Sequence, residues 1–313
     1  MQYPVSKLKG LVGFAQAGKV TGGWDGQVTE ITTLSDLTKY AADTSPRVLV
    51  ISKNIVTKTL TKVSVGANKT FVGSFGERTL ENIHLRATAS TKNIILQNIV
   101  FKHDKAINAN DDIQVYWNQG KGFWIDHCSF VGHQWGPEDG SVDKLLYIGD
   151  SADYATISNC YFGNHKYGVI LGHPEDDNSK VYEGLPHLTI CHNHYENMDV
   201  RAPGLMRYGY YHVYNNFINK FHLGFTLGTG AKIVSEYNLF GEGSQNKGML
   251  DDKGNGTFTD TGSVPTITGQ KSPKSTWNPN SNYTYSLTKK DSEIRAFVTA
   301  NAGARSSGLV FGS

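Results

Sequence analysis

Six short segments of this chain repeat one pattern of apolar and polar positions. They are IILQNIVF ending at Phe101, FWIDHCSF at Phe130, ATISNCYF at Phe162, LTICHNHY at Tyr195, YHVYNNF at Phe217 and IVSEYNLF at Phe240. Each opens on apolar or β-branched residues, passes through a polar pair and closes on an aromatic ring. The rings follow one another at intervals of 29, 32, 33, 22 and 23 residues. A strand-bearing repeat of about 22 residues, lengthened in places by loops, predicts a solenoid. One coil cannot bury its inner face alone, so the coils stack and their rings form a column. Two residues before each ring a second column reads Ile99, Cys128, Cys160, Asn193, Asn215 and Asn238. Its three asparagines predict an amide ladder, which pairs polar groups that would be costly to bury alone. A β-sandwich with coincidental Asn–aromatic pairs is the competing fold.

The flanks of the repeat read differently. TTLSDLTKYAADTSP carries Leu34, Leu37 and Ala41/Ala42 at helical spacing, with Thr33 or Ser35 as cap and Pro46 beyond the end. This predicts a helix over Leu34–Ala42, a candidate cap for the open end of the solenoid, followed by the strand RVLVIS. Beyond Gly241 the chain turns polar, and residues 242–313 are expected to form long loops with a last helix near Lys290–Ala302. No linker interrupts the pattern, so a single domain over 1–313 is expected.

Composition narrows the functional classes. Apolar residues make up 38% of the 313, enough for a core, and 34 glycines suit strands joined by many turns. The net charge of +2 comes without a basic run interleaved with aromatics, which excludes a nucleic-acid binder of the usual kind. No apolar run approaches the roughly 18 residues that span a membrane. No signal peptide is visible at Met1, and the start is compatible with a leader already removed. Cys128, Cys160 and Cys191 are odd in number and fit no zinc spacing, so buried thiols are expected. Asn68, Asn255 and Asn282 stand in N-x-T sequons, which matter only in a glycosylating host.

Charged residues cluster on the loops. Asp111 and Asp112 precede the coil ending at Phe130, and Asp139 and Asp143 follow it. Stacking would bring the two groups onto neighbouring coils. They are either solvated loop acids or hard oxygen ligands for a cation, in which case calcium is the natural choice. Lys166 lies one coil further on, and VRAPGLMR places Arg201 and Arg207 on the next. That stretch reads either as a surface turn or as an anion clamp of arginine forks.

FWIDHCSF, DYATISNCYFGNHKYGVILGH and LTICHNHY followed by VRAPGLMRYGYYHVYNNF resemble the signature blocks of the pectate lyase family. LVGFAQAGKVTGGWDGQVTEITTLSDL and ANKTFVGSF resemble its opening, and the likeness spans roughly residues 10–240. The resemblance implies an all-β, right-handed parallel β-helix with a short N-terminal capping helix and long loops on one side. It implies calcium-assisted β-elimination of α-1,4-polygalacturonate, leaving 4,5-unsaturated oligogalacturonides. Residue by residue, Arg201 would be the catalytic base, Lys166 and Arg207 would bind substrate, and Asp111, Asp139 and Asp143 would hold Ca2+. Asp126 and His127 would belong to a buried structural network. The second arginine follows the first by six residues where the family usually has five, and Lys166 stands one residue from its usual spacing. The resemblance further implies a secreted monomer whose partner is the polysaccharide, with no nucleic acid and no membrane. An arginine base predicts an alkaline pH optimum.

Three other readings compete. A pectin lyase would act on methyl-esterified polymer without calcium, through a groove expected to be aromatic and poor in acids. A polygalacturonase would use paired carboxylates, with G-H-G and R-I-K blocks that this chain lacks. A non-catalytic polysaccharide-binding β-helix would bind without cutting.

Overall fold

A computed structural model describes residues 2–4, 9–76, 78–107, 113–136, 143–175, 179–307 and 309, without the side chains of 244–247. Asp111, Asp112 and Asp139 lie outside these residues. The chain opens with α1 (Gly13–Ala17), β1 (Gln27–Ile31), α2 (Leu34–Ala42) and β2 (Arg47–Ile51). Two long bent strands follow, β3 (Ile55–Gly73) and β4 (Thr79–Gln97). Next come β5 (Val100–Lys102), β6 (Val115–Trp117), β7 (Lys121–Asp126), β8 (Ser129–Val131), β9 (Leu146–Ile148) and β10 (Asp153–Ser158). The coils continue through β11 (Tyr161–Tyr167), β12 (Val169–Leu171), β13 (His187–Cys191), β14 (His194–Val200), β15 (Gly204–Leu205) and β16 (Tyr210–Tyr214). They end with β17 (Phe217–Leu227), β18 (Lys232–Glu236), β19 (Leu239–Phe240), β20 (Gly243–Asp252) and β21 (Thr257–Thr261), before α3 (Asp291–Asn301).

Every registered pairing is parallel. One stack runs from β7 through β10, β13, β16 and β18 to β21. A second joins β5, β8, β11, β14 and β17. A third joins β6, β9, β12, β15 and the end of β17. The bent strands β3 and β4 contribute to all three. The stacks close into a parallel β-helix, whose core runs without a break from Ile31 to Phe258.

The aromatic column forms as the repeat predicts for its first four rings. Phe101, Phe130, Phe162 and Tyr195 stack with centroids 4.9, 4.9 and 5.1 Å apart, near parallel. It then departs from prediction: Ile218, not Phe217, stands in register with Tyr195 and Phe240. Phe217 faces outward and stacks on His194 at 5.0 Å. The ladder shifts with it. Asn193 Nδ2 donates to Asn216 Oδ1 (3.0 Å), and Asn216 Nδ2 to Asn238 Oδ1 (2.9 Å). Asn215 adopts φ 51° and bonds instead to the carbonyls of Tyr237 and Thr288. The reason is a turn position in the left-handed region, occupied in each coil by Asn98, His127, Asn159, His192, Asn215 or Tyr237. The residue after that turn, not the one before the ring, points inward.

The α2 helix falls on the expected residues. Thr33 accepts from the Asp36 N–H at 3.1 Å, and Leu37 and Ala41 pack into the core against β1–β3. Residues 242–313 are not all loop, because β20 and β21 carry the coils past Gly241. From there α3 packs Ile294 and Val298 on Phe217 and Leu239. The tail then runs back along the turns, with Gly303, Ala304 and Arg305 N–H groups bonded to Asn159, Ser129 and Asn98. All three cysteines are free and buried.

Candidate active site

The site forms where the second stack passes into the third. Arg201 follows β14 and takes φ 64°, a left-handed conformation uncommon outside glycine and small polar residues. Neighbouring coils hold it there. Its carbonyl accepts from Val169 N–H (3.0 Å), and Ala202 N–H donates to Gly224 O (3.0 Å). Gly168 is required on the coil below, since a Cβ there would lie 2.2 Å from the Arg201 carbonyl. Gly204 is closely packed: a Cβ there would lie 3.0 Å from Met206 Sδ and from the Val169 carbonyl, and 3.3 Å from the Arg201 Cβ.

Lys166 and Arg201 flank one ring. Lys166 Nζ lies 5.6 Å from the Tyr167 centroid and Arg201 Cζ lies 5.7 Å from it. Burial pushes the Arg201 guanidinium below its ordinary pKa; Tyr167 opposes this, the Arg207 charge adds to it and Asp143 opposes it. Arg207 is 7% exposed, and its Nη1 donates to the carbonyls of His173 (3.2 Å) and Pro174 (2.5 Å). The structure therefore brings Lys166 and Arg201 together at the surface and sets Arg207 deeper, braced by main chain.

Asp143 is 7% exposed, and its Oδ1 lies 2.5 Å from the Lys144 ammonium. Its carbonyl accepts from His165 Nε2 at 2.5 Å. Among the described residues no group of three or more His, Cys, Asp or Glu is arranged to hold a metal ion. Asp126 is fully buried; it accepts from Gln97, Ser158, Asn159 and His127 at 2.8–3.0 Å. Burial alone would raise its pKa, but the His127 charge and these donors hold it below the usual carboxylate range.

Sequence reasoning missed two features. One is an aromatic and apolar run on the outer face of the third stack: Tyr116, Tyr147, Ile170 and Gly204 stand in register beyond Arg86, whose guanidinium lies 5.4 Å from the Tyr116 centroid. Tyr116 and Tyr147 stack at 4.8 Å, and Ile113 and Met206 close the cluster. Tyr147 Oη and His173 Nδ1 both bond to Asp150 Oδ1 at 2.8 Å. Burial, with Asp150, pushes the Tyr147 phenol far above its usual pKa, so it serves as a donor. The other is a group of imidazoles, His84, His103, His133 and His165, with neighbouring centroids 4.6–6.3 Å apart. Burial lowers His84 and His103 to about 3 and His165 to about 4. The legible signal was a histidine two or three residues past the ring in three successive coils.

Comparison with known proteins agrees with the fold. A family model described as pectate lyase matches residues 7–307. The chain is 66% identical to a pectin lyase of Pseudomonas marginalis and 56% identical to one of Pectobacterium carotovorum, over all of both chains in each case. A probable pectate lyase B of Aspergillus flavus is 31% identical over 69% of this chain and 62% of that one. A pectate lyase solved with a bound hexasaccharide superposes with a TM-score of 0.80, over 97% of this chain and 99% of that one, at 19% identity. The chain therefore belongs to the pectate lyase family and is a polysaccharide lyase.

Proposed function

We propose that this enzyme is a pectin lyase, which cleaves methyl-esterified α-1,4-galacturonan by β-elimination without a required metal. The observation that carries this choice is the Asp143–Lys144 pair. An ammonium 2.5 Å from the carboxylate oxygen supplies the positive charge that calcium would bring, and repels a second cation. The described donor set therefore does not fit calcium. The aromatic and apolar run of Tyr116, Tyr147 and Ile170 suits an esterified chain, and the full-length relatives at 66% and 56% identity carry the name pectin lyase.

In this reading neutral Arg201 takes the C5 proton of the uronate ester. The electrons form an enolate on the C6 carbonyl, then expel the C4 oxygen, and solvent protonates that leaving group. Lys166 lies beside the developing oxyanion, where a fixed positive charge acts most strongly. Arg207, braced by His173 and Pro174, adds charge that favours the neutral form of Arg201. An ester makes the C5 proton more acidic than a carboxylate does, because its enolate carries one negative charge rather than two. That difference removes the need for a metal at this step.

The second reading is calcium-assisted cleavage of pectate. The cations around Tyr167 favour it, since they would hold a free carboxylate. In it Asp111, Asp139 and Asp143 would hold Ca2+. Either way we propose a secreted monomer, one domain built on a right-handed helix, with α2 capping its first coil. The test is the ultraviolet absorbance of unsaturated products from polymers of graded ester content, in excess chelator. The pectin reading predicts rates that rise with esterification and ignore chelator. Rates that fall with esterification and vanish in chelator assign the second reading.

A further inference from the structure

Outside the cleft, the second stack carries a formed cavity of about 300 Å3 that the elimination does not use. Gln134 and Trp135 of the loop after β8 form one wall, and Asn197, Lys220, His222 and Glu242 form the floor and the other wall. That volume lies at the low end of the range for small-ligand sites. Its geometry is fixed before any ligand arrives. Trp135 Nε1 donates to the Asn197 carbonyl (2.9 Å), and the indole meets the His222 imidazole at 89°, centroids 4.8 Å apart. The two rings make a corner, not a stack, and the indole stays part exposed. Asn197 Nδ2 is set by Asn164 Oδ1 (3.0 Å) and Gln134 Oε1 (3.3 Å).

The lining carries no excess of positive charge. Lys220 meets Glu196 at 3.1 Å and His222 meets Asp199 at 2.9 Å, while Glu242 adds an anionic edge. Such a lining offers donors, acceptors and an aromatic face but no net attraction for a carboxylate. That combination recognises a hydroxyl-rich, uncharged ring: the hydroxyls take the polar groups and the ring C–H face takes the indole. The position is also informative. Continuing the register Tyr167↔Val200 and Met198↔Phe221 places Lys166, Asp199 and His222 in one outward row. The His222 wall therefore lies two coils, about 10 Å, along the helix axis from Lys166, with Asn197 on the coil between.

We propose that this pocket is a second carbohydrate-binding site, which takes a neutral or methyl-esterified sugar unit of the polymer outside the cleft. It holds the chain on the enzyme between cuts and does not depend on the ester state the cleft accepts. Retardation in a gel cast with methyl-esterified pectin, compared with a pectin-free gel, reads binding whether or not the cleft cuts. Trp135→Ala and, separately, Lys220→Ala should each weaken retardation several-fold, while turnover of a short oligomer that cannot span both sites stays within twofold of wild type. A gel cast with unesterified polygalacturonate should retard the wild type less. Unchanged retardation of Trp135→Ala overturns the proposal, as does loss of short-oligomer turnover in parallel with binding. Equal retardation by the unesterified polymer overturns the assigned ligand class.

Discussion

At the scale of single residues, the proposed catalysis depends on how the fold makes an arginine usable as a base. A free guanidinium stays protonated at any pH an enzyme meets. Here burial lowers the Arg201 pKa, and the Arg207 charge lowers it further. The base form still grows as pH rises, so kcat/KM on pectin should climb through the alkaline range; a profile that falls above neutrality would contradict the assignment. In the proposed scheme Lys166 stabilises the developing oxyanion. Its replacement by Ala removes a charge-assisted contact of about 1.5–3 kcal/mol, so kcat should fall roughly 10- to 100-fold with the thermal midpoint unchanged. Lys166 and Arg201 were named from short blocks that resemble the family's. The depth of Arg207 relative to them was not legible. Nothing in VRAPGLMR shows that the His173 and Pro174 carbonyls claim Arg207, because those acceptors come from a coil more than thirty residues away.

Among the elements, the coil turn sets which side chains enter the core. The Asn ladder was readable as a column, yet one rung was misplaced. Asn215 and Asn216 are chemically identical, and only the left-handed turn at Asn215 decides which faces inward. The two residues should therefore respond differently. Asn216→Ala leaves the Asn193 and Asn238 amides short of a partner and should destabilise by about 1–3 kcal/mol. Asn215 is equally buried, and Asn215→Ala loses its bonds to the Tyr237 and Thr288 carbonyls at φ 51°, but it leaves the ladder intact. Chemical denaturation with Asn193→Ala added separates the two: Asn216→Ala should be non-additive with it and Asn215→Ala additive, and additivity at Asn216 would show that the ladder does not run through it. The helix over Leu34–Ala42 was legible to the residue because its cap and spacing are local. Strands β20 and β21 were not, because a Gly- and Asn-rich stretch pairs only when a finished coil offers it an edge.

Across the whole molecule, the parallel stacking that builds the cleft also fixes its response to acid. His84 and His103 are buried and neutral, with pKa lowered to about 3 from 6.5. A depressed histidine stabilises the fold fully above its unfolded pKa. The unfolded chain gains protons first as pH falls, so that stability is lost progressively from about 6.5 downward. The thermal midpoint should be flat above neutrality and fall steadily below it; a midpoint unchanged to pH 4 would show the imidazoles are solvated. The proposed arginine base then requires one demonstration above others. Wild type and Arg201→Lys should be compared on methyl-esterified pectin in excess chelator at alkaline pH, by the absorbance of unsaturated products. Metal-free elimination by Arg201 predicts sustained product formation by wild type and a loss on the order of 10²- to 10⁴-fold in the variant, with folding intact. Product that appears only after calcium is added, or a variant that matches wild type, would contradict it.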